Sequence, residues 1–503
     1  MGFNRIAKIF VVAFFLLAIA APLYPIPKEI ETALKLNRIN HFDEALEVVR
    51  RALSEEKIKP DITSAYTIGR ILYRKGELYR EMARLNVLTH IGYLLQVSDR
   101  EEQPPNEVLV FLGIGYFFNR QYHDAIEILG DLVNNKSVDP GLVDLTLVYL
   151  GASYYKNGEA QTARALWERV SRKDPLSFSA LGYVYALLGF DPEAGEDITR
   201  TVLEQAQAKG TGHIDSLKAN HAYTLLTLGR LDEAYSFIQK IDLNKPIYVN
   251  RPDDKTVFRF YDFALLDSYS KVVFGESIKN LEPIVTASSG ELASFAAYYV
   301  AQMYLYLGDY ERADKFAQKA KKLAVQSSLT MIKAVACGGS IDLLTGKDKR
   351  GLKLLNDEAS RIYGKPSSLL EMMHVVISSG VDYSRVKDIV GTVETYVYET
   401  GWDRTRRDDA LLGDVSFYTG RYVRALYYLE RARDKGNKNR IETNDPTFLL
   451  KLSYVYYMRE YYPESLEILF SLGKSFQGVR PLQDAVQSVY SYKQKGSGEA
   501  IID

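Results

Sequence analysis

"YLGASYYKNGEAQTARALWERVSRKDP", residues 149–175, decides how the chain folds. Leu147, Leu150, Gly151 and Tyr154 follow the i, i+3, i+4, i+7 spacing that gathers side chains on one face of a helix. Ala163, Leu166, Trp167 and Val170 repeat that spacing further along. Asn157-Gly158 between them signals a turn, and Pro175 stops the second helix from continuing. The stretch therefore reads as a helical hairpin with its apolar faces turned inward. Gly151 and Ala163 fall where a larger side chain would force the helices apart. No His, no Cys and no acidic pair in apolar surroundings is present, so these residues serve spacing and contact.

The hairpin recurs along the chain. "FLGIGYFFNRQYHDAIEIL" surrounds Ala125, "ANHAYTLLTLGRLDEAYSFI" surrounds Ala234, and "YVAQMYLYLGDYERADKFAQKA" surrounds Ala313. Small second-helix residues fall at 45, 83, 125, 163, 194, 234, 277, 313, 351, 386, 425 and 465, at intervals of 31 to 43 residues. The units near Ala83, Ser277 and Val386 are degenerate. Gly151, Tyr154, Gly158, Ala163, Trp167, Val170 and Pro175 resemble, in identity and spacing, the tetratricopeptide repeat, whose standard length is 34. The resemblance implies an all-α fold, an α-solenoid (superhelix) of about twelve hairpins covering nearly the whole chain after residue 28.

The division that follows has six parts. Residues 1–20 read as a signal peptide: Arg5 and Lys8 precede an apolar run from Ile9 to Ala21, and Ala18-Ile19-Ala20 offers a small-x-small cleavage site. That run is short for a membrane-spanning helix, although an uncleaved anchor is the alternative. A linker, 21–28, leads into an N-terminal solenoid lobe, 29–241. A linker loop at 242–256 separates it from a C-terminal lobe, 257–475. Residues 476–503 supply a terminal helix over 482–495 and a loose tail, "GSGEAIID". No strand-like alternation stands beside the helical period.

Charge and chemistry narrow the function. The net charge of −1, from 63 basic and 64 acidic residues, gives no field for nucleic acid. The single cysteine, Cys337, permits no internal disulfide. His41, His90, His123, His213, His221 and His374 form no metal-binding spacing, and phosphate-cradling and nucleophile motifs are missing. No catalytic, metal or cofactor residue is therefore expected. Lys315, Lys319, Lys321 and Lys322 make a basic stretch on one second helix, read as a solvated face or a local docking patch.

The 37 tyrosines call for another explanation. Some occupy the repeat's inter-helix aromatic position. In the repeat family the concave surface is lined by first-helix residues one, four and five after the small residue. Carried over unit by unit, the resemblance assigns Phe117, Tyr155, Tyr183, Tyr223, Tyr306, Phe417 or Tyr418, Tyr454 and Tyr457 to that surface. Such rings suit a peptide, an amphipathic helix or a sugar ring, and internal packing is the alternative. Lys and Asn, which the family uses there to grip acidic C-terminal peptides, are mostly replaced. The expectation is a non-enzymatic protein-interaction scaffold in a bacterial cell-envelope assembly, periplasmic or exported. Its partners are envelope proteins, and membrane contact is confined to the N-terminal segment if that is retained. A periplasmic module for a glycan, lipid or peptide is the alternative.

Overall fold

The computed structural model describes residues 26–100, 104–210, 213–250, 257–326, 328–399, 403–435 and 445–499. The signal peptide and most of the first linker lie outside these residues. Among them the fold is an all-α solenoid of antiparallel helical hairpins. The quoted stretch forms α6 (Pro140–Lys156) and α7 (Ala160–Trp167). Gly158 between them has φ +91°, a conformation glycine adopts without strain. Pro175 begins the next helix, α8 (Pro175–Leu188), where the Asp174 side chain accepts from the Ser177 amide.

The chain forms two compact units. The first is Met1–Arg74 with Ser277–Asp445, and the second is Lys75–Glu276 with Pro446–Asp503. The sequence-based division at 242–256 falls inside the second unit. That segment is also not simply a loop. Strand β1 (Ile247–Asn250) pairs antiparallel with β2 (Val257–Phe260), Ile247 opposite Phe260. Ile247 and Phe260 are buried, and Phe260 stacks on Phe111 with ring centroids 4.0 Å apart. The turn-forming residues around it hid this short ribbon from a reading based on period alone.

The first unit holds α1 (Lys28–Arg38) and α2 (Phe42–Ser54), then residues 62–74 of α3 (Ile62–Arg100). Residues 277–287 of α12 (Phe263–Ala287) follow. The rest is α13 (Glu291–Leu307), α14 (Tyr310–Leu323), α15 (Leu329–Leu344), α16 (Asp348–Arg361), α17 (Pro366–Ser378), α18 (Tyr383–Glu399), α19 (Arg406–Tyr418) and α20 (Tyr422–Lys435). Successive helices pack in order, α13 on α14, α14 on α15 and α15 on α16, as hairpin stacking requires. The second unit holds residues 75–100 of α3, α4 (Asn106–Phe118), α5 (Tyr122–Leu132), α6 to α8, α9 (Pro192–Lys209), α10 (Ile214–Thr227) and α11 (Leu231–Ile238). Residues 263–276 of α12, α21 (Pro446–Met458), α22 (Tyr462–Gly473) and α23 (Arg480–Glu499) complete it. The terminal helix thus runs through Gly496-Ser497-Gly498-Glu499, part of the expected tail.

Two degenerate units are not hairpins. Ala83 lies in the 39-residue helix α3 and Ser277 in the 25-residue helix α12. Gly69 and Gly76, which look like turn punctuation, are contact points inside α3. A Cβ on Gly69 would come within 2.5 Å of Leu281, and one on Gly76 within 2.6 Å of Phe274. The Ser277 hydroxyl donates to the Gly69 carbonyl at 2.7 Å. Side chains from α12 thus fill the spaces these glycines leave.

Within the hairpins the small positions make the close contacts, although in the 175–209 hairpin the position is Gly195 and not the expected Ala194, which is half-buried. A Cβ on Gly151 would lie 2.4 Å from Trp167 Nε1, which donates to the Val148 carbonyl at 3.0 Å. Gly182 and Gly195 meet backbone to backbone: a Cβ on either would lie 2.7 or 2.6 Å from the other's carbonyl oxygen. A backbone atom cannot swing aside as a side chain can. Gly182→Ala is therefore expected to lower stability by roughly 1–3 kcal/mol, the usual cost of overpacking. Urea denaturation measures this, and a midpoint equal to wild type would show that the hairpin yields.

Candidate interaction surface

In the second unit the first-helix face is already occupied. Phe263, Asp267, Lys271 and Gly275 are spaced four apart on α12 and form one stripe. Each residue of the stripe meets a first helix. Phe263 packs on Phe118 of α4 with centroids 6.0 Å apart. The Tyr183 hydroxyl on α8 donates to Asp267 Oδ2 at 3.1 Å. Lys271 Nζ sits 2.7 Å from the same oxygen and 4.9 Å from the Tyr223 ring centre on α10. At Gly275 a Cβ would lie 2.6 Å from Leu226 Cδ1, so the missing side chain lets α12 settle onto α10.

The electrostatics follow from that burial. Burial, then Asp267, pushes the Tyr183 phenol well above its ordinary range. Burial alone would lower the Lys271 ammonium, but Asp267 and the Tyr223 ring raise it above its usual value. Lys271 is thus held charged, with Asp267 and the Tyr223 ring against it.

This arrangement corrects most of the expected aromatic surface. Phe117, Tyr183, Tyr223, Tyr454 and Tyr457 are buried. Phe117 packs on Phe118 and Tyr149, and Tyr183 on Tyr223. The Tyr457 hydroxyl stands 2.5 Å from where a Cβ on Gly92 would be. These rings face inward as the register requires, but what they meet is the chain itself. Tyr155, Tyr306 and Tyr418 remain half-buried. Tyr155 lies against Trp167 and Phe190, Tyr306 donates to Gln302 at 2.9 Å, and Tyr418 lies beside Phe417. Tyr306 and Tyr418 belong to the first unit, and Tyr155 belongs to the second.

The first unit carries a polar ladder that the aromatic pattern concealed. Lys333 on α15 lies 3.2 Å from Glu371 on α17, and Arg407 on α19 bonds the same carboxylate. One turn along, His374 Nε2 lies 3.1 Å from Asp414 Oδ2. Lys333 also faces the Tyr298 ring at 5.8 Å. Burial alone would raise the Glu371 carboxyl, but Lys333, Arg407 and His374 together bring it below its usual range. Arg407 keeps 63% of its side chain exposed, and Lys333, His374 and Asp414 are each partly exposed. The spacing held a clue: Lys333 and Arg407 each stand six residues before a small first-helix position, Gly339 and Gly413. Glu371 was harder to find because its hairpin has Val386 in the small second-helix position.

The reactive groups are placed quietly. Burial pushes the Cys337 thiol up to about 12. It holds His90 and His221 down at about 4, with Arg230 and Arg200 adding to the effect at His221. Among the described residues no group of three or more His, Cys, Asp or Glu could hold a metal ion, and no helix is long and apolar enough to cross a membrane.

No protein-family model matches the chain, and no curated protein does. Solved structures match over much of its length. Yeast Tom70 is 12% identical, with 94% of this chain and 96% of that chain covered at a TM-score of 0.31. Cut9 in the APC/C Cut9–Hcn1 hetero-tetramer is 13% identical, with 92% and 88% covered and a TM-score of 0.26. A tetratricopeptide repeat protein from Parabacteroides merdae is 12% identical, with 68% and 98% covered and a TM-score of 0.22. Likenesses at these scores carry no argument. The assignment of an all-α, tetratricopeptide-like solenoid stands on the hairpins, caps and glycine contacts described above.

Two outcomes test the buried chemistry. His90 and His221 are neutral in the fold and accept a proton more readily once unfolded. Their contribution is complete above pH 6.5 and drains away as the pH falls toward 4, by roughly 3 kcal/mol for each fully buried ring. Denaturant midpoints from pH 7 to pH 4 should fall for the wild type and fall less steeply for His90→Gln. Lys271→Met strands Asp267, and the expected loss is on the order of 2 kcal/mol, below the full buried-pair range because the carboxylate keeps some solvent. Recovery in the double variant Asp267→Asn, Lys271→Met would confirm that the two act as a pair.

Proposed function

We propose that this chain is a non-enzymatic protein-interaction scaffold that binds its partner on the first-helix face of the first unit. One observation carries this reading. In the second unit the chain's own α12 covers the aromatic face, whereas in the first unit Tyr306, Lys333, His374, Arg407, Asp414 and Tyr418 retain exposure. Arg and Tyr are the residue types that most often dominate binding energy at protein interfaces. Tyr155 stands as a separate contact in the second unit.

The setting we propose is a bacterial cell envelope, reached through residues 1–20. The basic start, the short apolar run and the small-residue cleavage site support export. A single buried cysteine, needing no disulfide partner, is compatible with that route. A second reading, a small apolar or glycan ligand, is favoured by one feature of the first unit. A cleft of about 290 Å³ lies between α16 and α18, lined by Leu352, Val386, Ile389 and the rings of Tyr363 and Tyr396.

Crosslinking in the native cell, followed by mass spectrometry of the purified tagged chain, distinguishes the readings. The scaffold reading expects reproducible envelope proteins with the wild type. Arg407→Lys with Tyr418→Ala should reduce their recovery at least tenfold while the melting temperature, with a cation kept beside Glu371, stays near wild type. Recovery of the chain alone, carrying a small molecule, would favour the cleft. Equal recovery with the double variant would move the contact off this face.

A further inference from the structure

In a stack of hairpins, the turns that lead from a second helix to the next first helix share one edge. In the first unit two consecutive turns of this kind are unusual. Helix α14 ends in Lys319, Lys321 and Lys322, and beyond it Val325 is 60% and Leu329 37% exposed. One repeat on, α16 ends at Arg361, and Tyr363 is 66% exposed with Lys365 beside it. Helix α15 packs on α14, α16 and α17, which makes the two turns neighbours.

The charge there departs from that of the whole chain. Residues 319–329 and 357–365, which make the two turns, contain five basic and two acidic residues, whereas the full sequence is balanced to −1. Among the described residues, Lys315, Lys319, Lys321, Lys322 and Lys365 take part in no ion pair, while Arg361 is neutralised by Glu358. A helix C-terminus favours a cation or two, and single exposed apolar side chains are ordinary on a protein surface. Neither rule accounts for apolar tips flanked by unpaired lysines on two adjacent turns. An acidic protein or a nucleic acid would neutralise the lysines but would give the apolar tips no hydrocarbon to enter. An anionic bilayer answers both, because apolar side chains sink to the acyl boundary while lysines stay at the headgroups.

We propose that this edge of the first unit docks on an anionic lipid surface, with Val325, Leu329 and Tyr363 entering the headgroup region. Membrane contact then belongs to the folded repeats and is not confined to the N-terminal segment. The inference does not depend on the partner-binding face.

A polarity-sensitive dye on Val325→Cys of the full chain tests it. Cys337 is buried, so the introduced thiol is the one labelled. Vesicles containing phosphatidylglycerol should shift the emission to the blue and raise it several-fold. Phosphatidylcholine vesicles should leave it unchanged, as should a dye at Lys347→Cys at the other end of the hairpin. Lys321→Glu, Lys322→Glu and Lys365→Glu together should abolish the shift, and Tyr363→Cys should repeat it on the neighbouring turn. Because the dye reads its own surroundings, attachment through residues 1–20 does not produce the signal. An unchanged spectrum with anionic vesicles, a shift that survives the lysine reversal, or an equal shift at position 347 would each overturn the proposal.

Discussion

Two helices close tightly into a hairpin where one of them withholds a side chain, and that constraint sets most of this structure. At Gly182 and Gly195 it reaches its limit, because backbone carbonyls fill the space that Cβ atoms would need. At Gly151 the indole of Trp167 takes the space and also satisfies a carbonyl of the facing helix. Gly339 does the same for Leu355. Each closure fixes which residues of the first helix point inward. The period of small residues therefore determines the face as well as the fold.

What that face becomes depends on what reaches it. In the second unit a helix from later in the chain lies across it, and its stripe of Phe263, Asp267, Lys271 and Gly275 supplies one residue per turn. The half-buried Asp267 and Lys271 are tolerable because each has the other and a tyrosine. In the first unit the inward positions carry charge, and the repeats exchange it through Lys333, Glu371 and Arg407. The same scaffold positions are thus used once for self-packing and once for a polar surface.

The hairpins were legible because they obey a local rule: a small residue, a turn, and an apolar stripe on each side. Asn157-Gly158 and Asp174-Pro175 behave as their local chemistry dictates. Gly69, Gly76 and Gly92 follow no such local rule, since each makes room for a side chain distant in sequence. The spacing places the aromatic positions on the correct face but does not decide between an open surface and internal packing, because nothing near Tyr183 or Tyr223 announces Asp267 and Lys271. The ladder from Lys333 to Arg407 was missed because charge on a first helix resembles a solvated face until neighbouring repeats are stacked.

The second unit is assembled from stretches far apart in the chain. The Tyr261 hydroxyl bonds Asp484, and the Gly478 amide donates to Asn244 at 2.8 Å across a separation of 234 residues. Closing so large a loop carries an entropic cost that local hairpins never meet, and contacts of this span slow folding. A ribosome delivers the chain from its N-terminus, so residues 446–503 emerge after every other part of this unit. Until they do, α21 to α23 are missing from the unit, and Gly92 of α3 waits for its partner Tyr457. Completion of this half of the protein consequently waits for residues 446–503, and a chain cut short near residue 445 would leave an apolar surface for chaperones and proteases to find.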